Sequence, residues 1–420
     1  MHKLYRIIMD KKLVLKKILP IEFLRTIKNK IVESKVTHYK KQPINKEKFL
    51  EKPKGVNLIG DIRAEIGLGQ SMRLVANELN LSKYDFAIQD FQLGGNVRRN
   101  DTTWDHNMQY DTPYSINLFH INPYEIGLAY MYLDKEIWKD RYNIAFWLWE
   151  LEEFPEEYKR VIKFFDEIWT PSEFTSNSIR KVTSKPVYTI PYYVTAACDI
   201  KYDRKYFGLP DDKFLYLIMF DSNSTMSRKN PVGAIEAFKR AFPKNNHQVG
   251  LVIKVNNPDP KNIDFLQSML KDYNNVYYIT KVMDKIEVNS LIADVDVFVS
   301  LHRAEGFGLV MAEAMLLKTA CIATNWSSNT EFMNNENACM LSFEMTKIQK
   351  SEGCYEEGGV WAEPSIAEAA VYMRRLKEDV DFYQQIVNNA YISVSEQLGK
   401  AKVVQMLENR LVNIYNELKG

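Results

Sequence analysis

Cysteine is scarce in this chain, and the few cysteines follow no metal-binding pattern. Four occur among 420 residues, with neither a C-x-x-C pair nor a neighbouring pair of histidines: Cys198, Cys321, Cys339 and Cys354. A disulfide framework or a structural zinc site is typical of closer, repeated cysteine spacings. The spacing therefore disfavours both and predicts a protein of the reducing cytoplasm.

Long apolar runs and internal repeats are also missing. No uncharged run reaches the roughly 18 residues that a membrane-spanning helix needs, and no low-complexity tract occurs. With 46% hydrophobic and 26% charged residues, the chain has the composition of a soluble globular protein rather than a disordered one. Its length suggests two domains of roughly 180 residues each.

Negative charge is rare in residues 1–41. Three acidic residues face twelve lysines and arginines there, so this segment carries +9; since the chain carries +1, the remainder carries −8. Apolar residues recur at helical spacing on both sides of Pro20. Such a basic amphipathic stretch is typical of helices on anionic membrane surfaces, which predicts a cytoplasmic protein peripheral to the inner face of the membrane. A helix packed on the protein's own surface and a disordered basic tail are the alternatives. No nucleic-acid partner is expected.

Beyond Pro53, strand and helix patterns alternate, which predicts parallel α/β architecture. The apolar periodicity stops at residues 190–193 and resumes near residue 214, so we expect two doubly wound domains facing each other across a cleft. Helices are predicted at 68–79, at 232–241 and over the end of the chain. The predicted strands are 56–59, 86–88, 115–119, 143–149, 167–170, 214–220, 250–255, 276–279, 295–301 and 320–323.

A glycine pair, Gly67 and Gly69, opens the first predicted helix. The third glycine of a dinucleotide-binding G-x-G-x-x-G motif would fall at Met72, and the loop 61–66 is too long for that motif's tight turn. Two interpretations remain. The glycines allow the backbone to approach a phosphate, or they form a structural turn.

Arg228 and Lys229 follow a predicted strand and a loop rich in serine and asparagine, and Asn230-Pro231 then starts a helix. Cations at the carboxyl end of a parallel strand suit a diphosphate, because arginine binds it as a fork and lysine as a point charge. A solvated basic loop is the alternative.

The stretch AEGFGLVMAEAM, residues 304–315, places two glutamates, Glu305 and Glu313, around a glycine-rich bend. Good helix formers follow Gly308, so a helix is predicted to start there, with the N–H groups of Gly306, Phe307, Gly308 and Leu309 available to phosphate. Carboxylates do not attract phosphate. Ionised glutamates accept strong hydrogen bonds, for which hydroxyl groups are suitable donors.

These motifs together resemble a known family. The segment ADVDVFVSLHRAEGFGLVMAEAMLLKTACIATN resembles the donor site of retaining GT-B glycosyltransferases of glycosyltransferase family 4, the glycosyl transferases group 1. RKNP is similar to that family's diphosphate-binding element, and the Gly67/Gly69 loop to its glycine loop. The strand end Leu118-Phe119-His120 resembles the position of a histidine near the transferred sugar.

The resemblance implies a GT-B fold of two Rossmann-like domains. Residues 55–198 would form the acceptor domain, completed by a C-terminal helix at 396–420, and residues 199–395 the donor domain, with residues 1–54 as the basic N-terminal segment. It also implies transfer of a hexosyl unit, with retention, from a nucleotide diphosphate sugar to a glycan or lipid-linked acceptor in surface polysaccharide synthesis. Neither a cofactor nor a metal is expected.

Residue roles follow from the same resemblance. Glu305 would accept hydrogen bonds from the transferred sugar, and Glu313 from the ribose, while His120 would lie near the reacting sugar. The family usually has an arginine where Ser224 stands, so Arg228 is the candidate substitute. His302 replaces part of a frequent Pro-Ser pair.

Two further features admit less specific interpretations. Asp294 and Asp296 match a D-x-D metal motif, but they open a buried strand and are therefore not expected to bind metal. Trp147 and Trp149 belong to a predicted core strand, whose end, with Glu150, alternatively contacts an acceptor sugar. A catalytically silent subunit that stabilises a partner glycosyltransferase and a nucleotide-sugar epimerase remain the alternative functions.

Overall fold

The computed structural model describes residues 21–92 and 97–419, and it contains two six-stranded parallel sheets. The first sheet has the strand order β2-β1-β3-β4-β5-β6. Its strands are short and almost entirely buried, as expected for a parallel sheet covered on both faces. They are β1 Val56–Gly60, β2 Phe86–Asp90, β3 Ile116–His120, β4 Tyr142–Phe146, β5 Glu167–Thr170 and β6 Val187–Thr189.

The second sheet has the order β12-β11-β10-β7-β8-β9, the arrangement of a dinucleotide-binding fold. Its strands β7 and β10 are neighbours, so their carboxyl ends lie side by side. The strands are β7 Phe214–Asp221, β8 Val249–Asn256, β9 Val276–Ile279, β10 Val297–Ser300, β11 Ala320–Thr324 and β12 Cys339–Leu341. Two parallel α/β domains confirm the predicted fold class.

Helices cover both sheets. Those of the N-terminal half are α1 Ile21–His38, α2 Lys46–Glu51, α3 Gly67–Leu81, α4 Ile126–Tyr132, α5 Glu156–Lys159 and α6 Glu173–Arg180. Those of the C-terminal half are α7 Arg204–Phe207, α8 Met226–Lys229, α9 Pro231–Ala241, α10 Pro260–Met269, α11 Lys285–Asp294, α12 Leu309–Leu316, α13 Ile366–Glu378, α14 Val380–Gln397 and α15 Lys400–Lys419.

Helices cover the end of the chain, as predicted, but they do not follow the strand predicted at 320–323 directly. The chain first adds strand β12 and then an antiparallel hairpin of β13, Phe343–Lys347, and β14, Val360–Pro364. The loop of this hairpin reaches the first domain, since Ile348, Tyr355 and Trp361 pack in one apolar cluster with Trp149 and its neighbours. The strand predicted at 143–149 also ends early, at Phe146.

Helix α15 leaves the second domain and packs on the first. The Arg410 guanidinium lies 2.5 Å from the Glu167 carboxylate of β5, and both side chains are buried. The Tyr415 hydroxyl receives a hydrogen bond of 2.9 Å from the N–H of Gly55, just before β1. The C-terminal half of this helix is thereby attached to the first domain.

The N-terminal segment is described from residue 21 onward, so the first half of the predicted membrane-binding stretch lies outside the described residues. Helix α1 begins directly after Pro20. Its Val32 and Val36 pack on Gly127 of α4, where an added Cβ would lie 2.5 Å from a Val32 methyl group. Beyond the helix, Tyr39 stacks on Phe164 with ring centroids 3.9 Å apart. Residues 32–39 thus pack on the protein's own surface, which was the alternative to binding a membrane.

Within the described part of the chain, no helix combines the length and apolar character needed to cross a membrane.

Candidate functional site

A cluster of three charged side chains lies where β7 and β10 end. Glu305 forms an ion pair with Lys229, and its Oε1 lies 3.4 Å from the Nη1 of Arg228. Arg228 is 6% exposed and Glu305 9%. Burial opposes ionisation of Glu305, but the charges of Lys229 and Arg228 outweigh it and lower its pKa to about 2. The cluster therefore places an ionised carboxylate between two basic side chains.

The backbone around this cluster is held by specific turns. The short helix α8 ends at Asn230, which adopts the left-handed conformation with φ 51° and caps α9 through a 3.0 Å bond from the N–H of Gly233 to its side chain. Asparagine tolerates that conformation better than most residues. The carbonyl of Arg228 accepts a 2.8 Å bond from the N–H of Arg303, which connects the loops after β7 and β10.

The glycine-rich bend ends at Gly308, which has φ 92° and forms the N-cap of α12. A Cβ at this position would lie 2.8 Å from the Met311 methyl group, so both conformation and space favour glycine. Helix α12 starts at Leu309, as predicted from the helix formers. The N-terminus of this helix and the cations of the cluster offer complementary donors for a phosphate group.

Glu313, on α12, is 1% exposed. Its Oε1 lies 2.6 Å from the Nζ of Lys285, while its Oε2 has no hydrogen-bond partner among the described residues. Burial raises the pKa of Glu313, and the neighbouring Lys285 opposes that rise. The two glutamates of the stretch thus have different surroundings, because one faces two cations and the other faces one.

The first domain contacts the bend directly. Ser172, at the end of β5, donates a 3.0 Å hydrogen bond to the carbonyl of Gly306 and lies 2.9 Å from the hydroxyl of Ser328. Ser328 in turn donates a 2.8 Å bond to the carbonyl of Glu305. The carbonyls of the bend are therefore occupied, which orients the peptide units that link Glu305 to α12.

His120 ends β3 and is 1% exposed. Its Nε2 lies 2.7 Å from the hydroxyl of Ser71, which also bonds to the hydroxyl of Tyr192, and the Tyr192 ring contacts Phe307 edge-on at 4.8 Å. Burial lowers the pKa of His120 to about 3, so the ring is neutral. This chain of contacts connects His120 to the glycine-rich bend of the second domain.

The two glycines of the first domain differ in their surroundings. Gly69 is packed so closely that a Cβ would lie 2.1 Å from the Ala64 carbonyl oxygen, which gives it a structural reason to be glycine. Gly67, the first residue of α3, faces open space. The structure records no contact of either residue with the charged cluster.

Two positions that depart from the family pattern now have a physical description. The Nη2 of Arg228 donates a 3.1 Å hydrogen bond to the hydroxyl of Ser224, so the guanidinium lies beside the residue that stands where the family usually has an arginine. His302 is fully buried. Its Nδ1 lies 3.0 Å from the Ser300 hydroxyl, and its Nε2 lies 3.0 Å from the side-chain amide oxygen of Asn329. His302 thus supports the loop that carries Glu305.

The two aspartates of the D-x-D sequence precede β10, as predicted. Asp296 accepts hydrogen bonds from the N–H of Leu215 at 2.7 Å and from Arg204 at 3.1 Å. Across the described residues no group of three His, Cys, Asp or Glu side chains is placed to hold a metal ion.

The aromatic run after β4 is part of the core. Trp149 is 5% exposed, and its indole N–H donates a 2.8 Å bond to the Glu153 carbonyl. Glu150 lies next to the bend, since a Cβ on Gly306 would be 3.5 Å from the Glu150 Cγ. Tyr355, from the hairpin loop, lies with its ring centroid 5.8 Å from the Arg228 guanidinium.

Sequence reasoning missed Lys285, Ser172 and Tyr355. Each contacts a predicted site residue from a distant part of the chain, and none belongs to a recognisable motif. For Ser172 the available signal was its position just after a buried strand, because carboxyl ends of parallel strands line such clefts.

Comparisons with known proteins agree with this fold. Residues 203–392 match the family model of Glycosyl transferases group 1. Anabaena HepE in complex with UDP and glucose superposes with a TM-score of 0.64 at 14% identity, covering 86% of this chain and 100% of that chain. Sucrose-phosphate synthase from Thermosynechococcus elongatus gives 0.61 at 12% identity, covering 87% of this chain and 100% of its own.

A glycosyltransferase from Rickettsia africae gives a TM-score of 0.60 at 14% identity, with 87% of this chain and 98% of that chain covered. No curated protein matches the sequence significantly. At identities this low, the structural superposition establishes the fold alone. The chain therefore has the GT-B fold, and its second domain matches the glycosyl transferases group 1 family.

Proposed function

We propose that this protein is a retaining glycosyltransferase of glycosyltransferase family 4, which transfers a hexosyl unit from a nucleotide diphosphate sugar. The observation that carries the proposal is the placement of Glu305 beside Arg228 and Lys229, with the buried Glu313 eight residues further along. Glu305 lies beside the two cations, the N-terminus of α12 follows it in the chain, and Glu313 lies within that helix. A nucleotide sugar presents hydroxyls at both ends and a diphosphate in the middle.

In this proposal the chain acts on the leaving group. Arg228 and Lys229 stabilise the negative charge that develops on the departing diphosphate, and the N–H groups of residues 306–309 add to that stabilisation. Glu305 accepts hydrogen bonds from the sugar, and its negative charge stabilises the positive charge that develops on the sugar ring. Because its pKa is about 2, Glu305 is ionised throughout the physiological range.

His120 is assigned to the first-domain wall of the sugar site. Its pKa, lowered to about 3 by burial, argues against a role as proton donor at neutral pH. Its Nδ1 is buried and has no hydrogen-bond partner among the described residues, so a sugar hydroxyl is a suitable partner for it. Front-face attack by the acceptor hydroxyl needs no nucleophile from the protein.

The acceptor is proposed to be a glycan or lipid-linked intermediate of surface polysaccharide synthesis. The +9 charge of residues 1–41 favours an anionic membrane surface, which would bring the protein to a lipid-linked acceptor. Since residues 32–39 pack on the first domain, the proposed membrane contact is assigned to the residues before them. The reaction is proposed to need no metal, because Arg228, Lys229 and the N-terminus of α12 are proposed to bind the diphosphate.

A thermal-shift screen of UDP-, ADP-, GDP- and dTDP-sugars tests the donor class. A ligand at 100 times its dissociation constant stabilises the folded protein by about 2.7 kcal/mol. The stabilising donor is then incubated without acceptor, and its slow hydrolysis is followed by NMR. An α-linked donor should release the α-anomer first if configuration is retained. No stabilisation by any donor would refute the proposal.

The same experiment separates the two alternative functions. A silent subunit that stabilises a partner enzyme would bind a donor without hydrolysing it. An epimerase would convert one sugar nucleotide into another without release of the nucleoside diphosphate.

A further inference from the structure

Glu313 is half-satisfied in this structure. One of its oxygens bonds to Lys285 at 2.6 Å, and the other is buried without a hydrogen-bond partner among the described residues. A buried carboxylate oxygen without a partner is costly, and native proteins rarely keep one without a reason. The unpartnered oxygen therefore points to a ligand donor.

Lys285 is unusual at its own position. It is the first residue of α11, whose N-terminus is already secured by Asp284 and Glu287 in a reciprocal capping box. A lysine in the first turn is disfavoured by the helix dipole, so helix stability does not explain it. Its Nζ instead reaches across to α12, where the Glu313 carboxylate is 1% exposed while the Lys285 side chain is 41% exposed.

We propose that Lys285 is a positioning residue for the ribose of the donor nucleotide. By bonding to one oxygen of Glu313 it favours the ionised carboxylate and fixes its rotamer, so that the other oxygen accepts a hydrogen bond from a ribose hydroxyl. The inference rests on the proposed function, and it adds a residue that lies outside the stretch 304–315 that carries Glu305 and Glu313. Lys285 acts through Glu313 and does not itself need to touch the ligand.

The test measures calorimetric binding of UDP, ADP and GDP and of their 2′,3′-dideoxy forms. The variants are Lys285→Met, Lys285→Arg and, as a control, Lys271→Met, which changes an exposed lysine beyond the end of α10. Lys285→Met should weaken binding of the preferred ribonucleotide by about tenfold and that of its dideoxy form by less than about twofold. Lys285→Arg should recover most of the loss, because arginine also donates to a carboxylate.

The outcomes separate the inference from the function on which it rests. If the wild-type protein binds neither these three nucleotides nor dTDP, the proposed function fails, and the role of Lys285 fails with it. If the wild type binds a nucleotide but Lys285→Met weakens binding of the ribose and dideoxy forms equally, or of neither form, the ribose role of Lys285 is wrong. The proposed donor site is then retained. Thermal unfolding of each variant shows that it is folded. Equal loss in Lys271→Met would also overturn the inference.

Discussion

Replacing Glu305 with glutamine removes one negative charge and leaves a side chain of nearly the same volume. In the structure this carboxylate lies beside Lys229 and Arg228, and Glu305 is 9% exposed. The substitution should therefore change the electrostatics of the cluster more than its packing. The two cations lose a partner, so the affinity for a nucleoside diphosphate should stay the same or increase.

The rate of sugar transfer should fall. Hydrogen bonds to charged groups contribute about 1.5–3 kcal/mol, and about 1.36 kcal/mol corresponds to tenfold in rate. If the contact between Glu305 and the sugar strengthens as positive charge develops on the ring, Glu305→Gln should lower kcat by about ten- to 150-fold. An effect of this kind is confined to interactions that are stronger in the transition state.

Glu313→Gln is the matched control, because it makes the same chemical change on the same segment. Glu313 is proposed to contact the ribose, which does not change during the reaction, so this variant should raise KM with a smaller change in kcat. It should also weaken binding of the free nucleoside diphosphate. Steady-state donor hydrolysis and nucleoside diphosphate titration measure both variants. Wild-type kcat in Glu305→Gln, or exchanged profiles of the two variants, would refute the assignment.

Three other properties can be checked independently. Activity should persist in EDTA, and a complete loss that Mn²⁺ restores would contradict the proposed independence of metal. Deletion of residues 1–20, which carry six lysines and arginines against one aspartate, should abolish sedimentation with anionic vesicles; equal sedimentation would remove the membrane assignment. His120 has a folded pKa of about 3 against an ordinary value near 6.5, so its contribution to stability is present above pH 6.5 and is lost as pH falls toward 3. Between pH 7 and pH 5 this loss is about 2 kcal/mol. The free energy of unfolding in urea should therefore decrease less in His120→Asn than in the wild type over that range. An equal decrease in both proteins would contradict the assigned burial effect.

Much of the fold could be predicted because parallel strands buried on both faces are continuous apolar runs. Ten of the predicted strands have a counterpart in the two sheets. The strands that were missed have weaker signals. β6 and β12 are three residues long, and the exposed side chains of β13 make it too polar to resemble a buried strand.

The charged cluster was predictable in composition but not in pairing. Arg228 and Glu305 each follow a predicted strand, and Arg228 was expected at the carboxyl end of its strand. Their contact depends on β7 and β10 being neighbours, although β8 and β9 intervene in sequence. Strand order is not encoded in the apolar pattern of single strands, so the ion pair required the structure.

The pairing of Lys285 with Glu313 could not be predicted from the sequence either, because it also joins two elements that are separate in the chain. In the sequence, Lys285 is an ordinary lysine at the start of a capped helix, and its charge opposes the dipole of that helix. Its position is understandable only beside a buried carboxylate that comes from another helix, because an isolated buried charge costs more than a poor helix position. Local rules therefore mark Lys285 as a misfit, and the misfit itself is the signal: where a residue contradicts the helix that carries it, the partner that explains it belongs to another part of the fold.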